Sequence, residues 1–364
     1  MTTTTAPPDG GITIHVKDPA HLIAAVPHLL GFRPANSVVL VGSGGAAGKS
    51  VGPVLRLDLP AAEREDEAAA ALSALLTRHP IASATIVIVG RPPGHPPDRG
   101  DRPASRFVRA LAAALRALGR PVEHAFWTPE IRAGAPWSCY DDPDCAGVLP
   151  DDAATPVAAA LASRGFVTFD SREQMARLLD PDDPVAVARR ERLLEHRLEA
   201  LGDRAEQDSY AESFREVGQA LARARTGPPE LSDEQVVRLA LALSDMRVRD
   251  ACLAAALPAG SEQSMRAEAL WLELVRKTPA PERAEAATLL GYSAYARGEG
   301  AFARIAFENA LTAMPGHTLA DLLARCLDVG LPPERVRNLA HVGDLVRLLA
   351  SAIPGPRPAG PGEP

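Results

Sequence analysis

Residues Asp18 to Gly42, DPAHLIAAVPHLLGFRPANSVVLVG, place a helix, a turn and a strand in one unbroken run. No other stretch constrains the fold as tightly. Asp18 can accept hydrogen bonds from the free N–H groups of a helix start, and Pro19 sits where a missing N–H costs nothing. Leu22, Ile23, Val26, Leu29 and Leu30 then recur at helical spacing, and Gly31 is placed to end the helix in a left-handed conformation. Phe32 to Ser37 reads as a turn. Val38 to Val41 is a short aliphatic run of the kind buried on both faces of a sheet. Pro27 removes one helical hydrogen bond and should kink the helix near its middle.

Strand and helix signals go on alternating through the first half of the chain. Strands are expected at Ile12–Val16, Val51–Leu59, Ala84–Val89, Val122–Trp127 and Ile131–Trp137, with helices over Glu65–Arg78 and Ser105–Leu118 between them. The connection from Val41 to Val51 is too short for a crossover helix, so those strands should form a hairpin, and the same holds near Thr128–Glu130. The sheet is therefore expected to be mixed. A helix at Pro156–Ser163, an apolar run at Phe166–Phe169 and a capping-box pattern at Ser171 and Gln174 complete this half.

From Pro184 onward the strand signals stop. Val185–Ala224 has helical periodicity, and Ser232 with Gln235 opens another capped helix. The expected organisation is a disordered tail at 1–10, an α/β domain with a mixed sheet at 11–182, an all-α helical domain at 183–352, either tetratricopeptide-like or a bundle, and a disordered tail at 353–364. LDPDDP, at Leu179–Pro184, supplies the hinge. Within the helical half, Ala267, Trp271, Leu274 and Pro279 are matched 36 residues later by Ala303, Phe307, Ala310 and Pro315. Leu290 and Gly291 precede the second set. On these residues Ala287–Pro315 resembles one tetratricopeptide unit, in which small residues let paired helices approach and an aromatic fills the gap. It departs from that pattern at Ala287 and Ala294.

A second resemblance rests on Asp18–Gly42 together with PWSCYDDPDC at Pro136–Cys145. These segments resemble a bacterial domain-of-unknown-function family, number 4192. The resemblance implies a shared fold and carries no activity.

Composition excludes several functions. The formal net charge is -7 and aromatic residues make up 4%, so phosphate backbones are repelled and stacking platforms for bases are few. Nucleic acid is not an expected partner. No apolar run reaches the ~18 residues of a membrane span, and MTTTTAPPDGG lacks the features of a secretory signal, so a cytoplasmic location is expected. The 4 cysteines are too scattered for a disulfide framework and should be reduced; Cys252 and Cys326, among Leu and Ala, read as small buried hydrophobes.

Several motifs mislead. VGSGGAAGKS at Val41–Ser50 ends like a phosphate-binding loop, but Ser43 stands where the first glycine is required and a strand follows instead of a helix. Gly48–Gly52 spells a serine-nucleophile elbow in the same wrong context. His21 and His28 share a helix face without a third ligand, and read as surface or boundary residues. His95 lies in a Pro/Gly/Arg-rich loop.

Two segments could hold a ligand. Arg33, Asn36 and Ser37 lie in the turn GFRPANS, where Arg33 could clamp an anion and Asn36 could bond its own backbone. Trp137, Ser138, Tyr140 and Asp141 leave a strand end and offer an indole, hydroxyls and a carboxylate. Zinc would need four ligands where Cys139, Cys145 and at most His124 are available, so no metal and no cofactor is expected. No catalytic residue can be assigned. The leading expectation is a protein-interaction or scaffolding role through the helical domain, with a protein partner. The alternative is an enzyme or small-molecule sensor built on the two segments.

Overall fold

A computed structural model describes residues 4–5, 13–14, 18–44, 50–77, 79, 81–92, 102–163, 166–201, 206–224 and 230–337. The chain forms two compact units, Met1–Met175 and Ala176–Pro364.

The first unit opens with β1 (Thr4–Thr5) paired to β2 (Thr13–Ile14). The rest of the two expected tails, the glycine-rich 45–49 and the loop containing His95 lie outside the described residues. Helix α1 (Pro19–Leu30) begins as its sequence dictates: Asp18 accepts from the Ala20 N–H at 2.9 Å, and Gly31 ends the helix at φ 79°. Pro27 lies inside α1 and is buried. There follow β3 (Ser37–Gly44), β4 (Ser50–Asp58), α2 (Glu65–Leu76), β5 (Ser83–Val89), α3 (Ser105–Ala117), β6 (Val122–Thr128), β7 (Pro136–Cys139), β8 (Ala146–Val148), α4 (Pro156–Ala162) and α5 (Arg172–Ala176).

Strands β4-β3-β5-β6-β7-β8 form one six-stranded sheet. Within this sheet, among the described residues, only β5 and β6 run parallel, joined through α3, and the other strand pairs are antiparallel. Strand β3 lies inside the sheet, which is why Val38–Val41 is aliphatic at every position. Val38 and Leu40 pack with Ile86 and Ile88 of β5 against Leu72 and Leu76 of α2 and Phe107 and Leu111 of α3. Val39 and Val41 pack with Val87, Val89 and Phe126 against Ile23 and Val26 of α1. The result is a sheet between two helical layers. Pro53 is tolerated because β4 is an edge strand, where a ladder donor can be missing. Opposite it the β3–β4 register slips between Val41 and Ser43, and Gly42 fills the slip where a Cβ would meet Ile81 at 2.8 Å.

The strand expected at Ile131–Trp137 begins later, at Pro136. Residues 131–134 turn instead, with the Thr128 hydroxyl donating to the carbonyls of Glu130 and Pro136. Strand β8 has no counterpart in the sequence reading.

The second unit is helical: α6 (Pro184–Leu201), α7 (Glu206–Arg223), α8 (Asp233–Ser244), α9 (Met246–Cys252), α10 (Glu262–Lys277), α11 (Arg283–Arg297), α12 (Gly300–Ala313), α13 (Thr318–Asp328) and α14 (Pro333–Arg337). Both halves of the capping box at Ser232 and Gln235 are present. Helix α11 is buried from Ala284 through Ala296. A helix enclosed on all sides needs apolar or small residues nearly all round; its alanines meet that need, and the one buried charge, Glu285, is paired. Trp271 of α10, Tyr292 and Tyr295 of α11, and Phe307 of α12 are all fully buried.

Candidate functional site

In the first unit the turn after α1 builds a polar cluster. Phe32 forms a parallel bridge with Phe169, with Phe169 N–H donating to Gly31 and Arg33 N–H to Phe169. This fixes the backbone of Arg33. Its guanidinium then reaches three groups: the Asp152 carboxylate at 2.8 Å, the Asp170 carboxylate at 3.3 Å and the Ile131 carbonyl at 3.0 Å. Burial opposes the charge, but the bonds and attraction from Asp152 and Asp170 outweigh it and hold Arg33 above the ordinary arginine range.

Asp152 is buried, just beyond β8, and His28 completes the cluster. His28 Nε2 lies 3.1 Å from the Asp152 carbonyl and 3.3 Å from its carboxylate, while Nδ1 lies 2.7 Å from the Thr168 hydroxyl. A carbonyl can only accept, so Nε2 carries a proton; in the neutral ring Nδ1 accepts from Thr168. His28 takes the boundary position of the two expected for it: its side chain is 11% exposed and bonded on both nitrogens. His21 is more open and faces Asp18 at 3.1 Å. Nothing in the sequence singled out Asp152 as the shared partner of Arg33 and His28.

Asn36 and Ser37 turn elsewhere. Asn36 adopts φ 46°, and its side-chain oxygen accepts from Arg91 N–H at 3.4 Å, not from its own backbone. Ser37 is fully buried; it donates to the Ala35 carbonyl at 2.7 Å and accepts from Arg56 at 2.8 Å. Arg56 in turn pairs with Asp58 at 2.6 Å. These are bonds that shape a turn and tie it to β4.

The Trp137 segment is a β-hairpin, β7 and β8 joined through Tyr140–Cys145. Trp137 is buried edge-on against Phe126, and a Cβ on Gly147 would lie 3.0 Å from its indole nitrogen. Ser138 points to the opposite face and accepts from Arg102 at 3.0 Å. The Tyr140 hydroxyl donates to the Pro103 carbonyl, and burial pushes its ionisation well above the ordinary tyrosine range. Asp141 is exposed. Among the described residues, Arg33, Asn36 and Ser37 share no hydrogen bond or ion pair with Trp137, Ser138, Tyr140 or Asp141. The two segments engage separate neighbours.

The helical unit holds a polar group in its interior and an apolar group on its surface. Glu285 of α11 lies 2.9 Å from His317 Nε2 and 3.2 Å from Arg249. His317 Nδ1 accepts from the Ala320 N–H at 3.1 Å and so caps α13, which obliges Nε2 to be the donor to Glu285. On the surface, Phe214 is 49% and Met246 67% exposed. Tyr210 stacks on Phe214 with ring centroids 6.0 Å apart, and the Arg247 guanidinium lies 4.7 Å over the Tyr210 ring.

Among the described residues no group of three or more His, Cys, Asp or Glu is placed to hold a metal ion, and no helix is long and apolar enough to cross a membrane. No curated protein and no solved structure matches the chain. The model of one family, described as a domain of unknown function (DUF4192), matches residues 19–334. That match takes in the first helix, the mixed sheet and the helical unit as far as α14, and the chain belongs to the DUF4192 family.

Proposed function

We propose that this protein acts by binding another protein through its helical unit. The supporting observation is the exposed stack of Tyr210 on Phe214 with Arg247 over Tyr210, together with exposed Met246 beside Arg247 in the chain. Aromatic, methionine and arginine side chains are the types concentrated in protein contacts, where a few anchors supply most of the binding energy. Covering what remains exposed of Phe214 and Met246 would contribute about 1–2 kcal/mol each. Arg247 is already neutralised by Asp245 at 2.7 Å, so the group offers an apolar centre instead of a free charge. The fitting partner is an amphipathic segment presenting apolar anchors.

One contact between paired helices supports the same reading. Phe307 of α12 lies against Gly291 of α11, the small-residue and aromatic pairing that tetratricopeptide-type helix pairs use. The enzyme or sensor alternative draws less support, since the segments carrying Arg33 and Trp137 bond to different neighbours. Photo-crosslinking from position 214 of the whole chain, in extract of its source cells, tests the proposal. A discrete adduct competed by wild-type protein and not by the F214A/M246A double variant is expected. Equal competition by both would sink it.

A further inference from the structure

The β7–β8 hairpin brings two thiols together. Pro136 pairs with Val148, Trp137 with Gly147 and Ser138 with Ala146, so the next pair in register is Cys139 with Cys145. The backbone confirms the step, since Cys139 N–H donates to the Cys145 carbonyl at 2.8 Å. Residues directly opposite in an antiparallel ladder hold their Cα atoms about 4.5–5.5 Å apart, inside the window of about 4.4–6.8 Å that a disulfide spans. Residues directly opposite on an antiparallel ladder put their side chains on one face, so the two thiols are neighbours. Both cysteines are free, Cys139 buried against Trp137 and Phe126 and Cys145 half-buried at the end of the loop.

We propose that Cys139 and Cys145 are a reversible thiol-disulfide site whose co-reactant is a low-molecular-weight disulfide of the glutathione class. Cys145, the more accessible thiol, reacts first. Its thiolate attacks one sulfur of the small disulfide, forming a mixed disulfide and releasing one thiolate, which takes up a proton. The Cys139 thiolate then attacks the Cys145 sulfur and expels the second small thiolate. The protein loses two protons and two electrons, and the small disulfide is reduced to two thiols. A reducing thiol pool runs the sequence backwards, so the pair stays reduced in a reducing cytosol and closes when that pool is oxidised.

Closure would stitch the base of the loop that carries Tyr140, Asp141, Asp142 and Asp144. Tyr140 holds the Pro103 carbonyl and Ser138 holds Arg102, so the stitched loop is the one that fastens the start of α3. Burial, Cys139 and Asp142 together raise the Cys145 thiol above the ordinary cysteine range. The first step is therefore slow near neutral pH and quickens as pH rises, because the thiolate is the nucleophile.

The test is to equilibrate the folded full-length chain against glutathione buffers of increasing oxidised fraction, trap with an alkylating agent, and map peptides by mass spectrometry. The expected wild-type product lacks two hydrogens, carries no glutathione, and links Cys139 to Cys145, while Cys252 and Cys326 alkylate only after unfolding. C139S should accumulate a stable glutathione adduct on Cys145, and C145S should lose oxidation at this hairpin. A persistent Cys145–glutathione adduct in the wild-type chain, or no reaction of either thiol under buffers that oxidise model dithiols, would overturn the proposal. The wild-type titration decides the matter even if Cys139→Ser fails to fold.

Discussion

Gly291 of α11 and Phe307 of α12 touch so closely that a Cβ on Gly291 would stand 2.4 Å from Cε1 of the ring. Phe307 is fully buried and has no room to withdraw. Helix propensity and packing therefore pull in opposite directions. Alanine in place of glycine would favour a helix by about 1 kcal/mol, whereas overpacking a filled interior costs about 1–3 kcal/mol and more when the obstacle is a ring. Gly291→Ala should destabilise the protein by about 2 kcal/mol, measured by urea denaturation. A gain in stability would show that α11 and α12 can move apart.

Arg33 holds two carboxylates and a carbonyl with one planar fork. Arg33→Met would leave Asp152 buried and without its cation, a change that costs about 3 kcal/mol in comparable buried pairs. Arg33→Lys keeps the charge but cannot reach all three groups, and a loss of about 1–2 kcal/mol is expected. Chemical denaturation of both variants gives the order, and lysine matching wild type would remove the fork from the account.

Asn36 stands in the left-handed region at φ 46°. Asn36→Ala should cost about 1–2 kcal/mol, because a Cβ without a local polar partner is strained there, while Asn36→Gly should be close to neutral. Thermal denaturation of the two variants separates a turn-forming role from a chemical one: if both lose binding or activity at wild-type stability, the side chain acts on a ligand.

Asp233 is held below the ordinary carboxylate range, first by its hydrogen bond from Arg189 and then by Arg190. A carboxylate depressed in the folded state contributes stability that is fully present above its unfolded value, near pH 4, and is lost as pH falls through the folded value. Acidification from pH 5 downward should thus weaken the wild-type protein more steeply than Asp233→Asn. Equal acid slopes in urea titrations would show that the arginines do not act on this group.

Local chemistry made much of the architecture legible. The cap at Asp18, the stop at Gly31, the aliphatic β3 and the capping box at Ser232 are interactions within a few residues, and periodicity exposes them directly. The short connection after Val41 likewise dictates a hairpin. Strand β8 escaped because Ala146-Gly147-Val148 has no strand character of its own; it pairs because β7 offers an unfilled ladder, and Gly147 is small enough to pass the Trp137 indole.

The sequence alone determined the helix-to-strand grammar of Asp18–Gly42, the change to an all-helical second half and the failure of the phosphate-loop and serine-elbow motifs, since each depends on neighbours in the chain. Tertiary structure decided that Arg33 and His28 both meet Asp152 and not the Trp137 loop, and that Cys139 faces Cys145. His28 and Asp152 are 124 positions apart, and no periodicity extends that far. Their meeting is set by how α1 and the segment beyond β8 pack on one sheet, which only the folded chain defines.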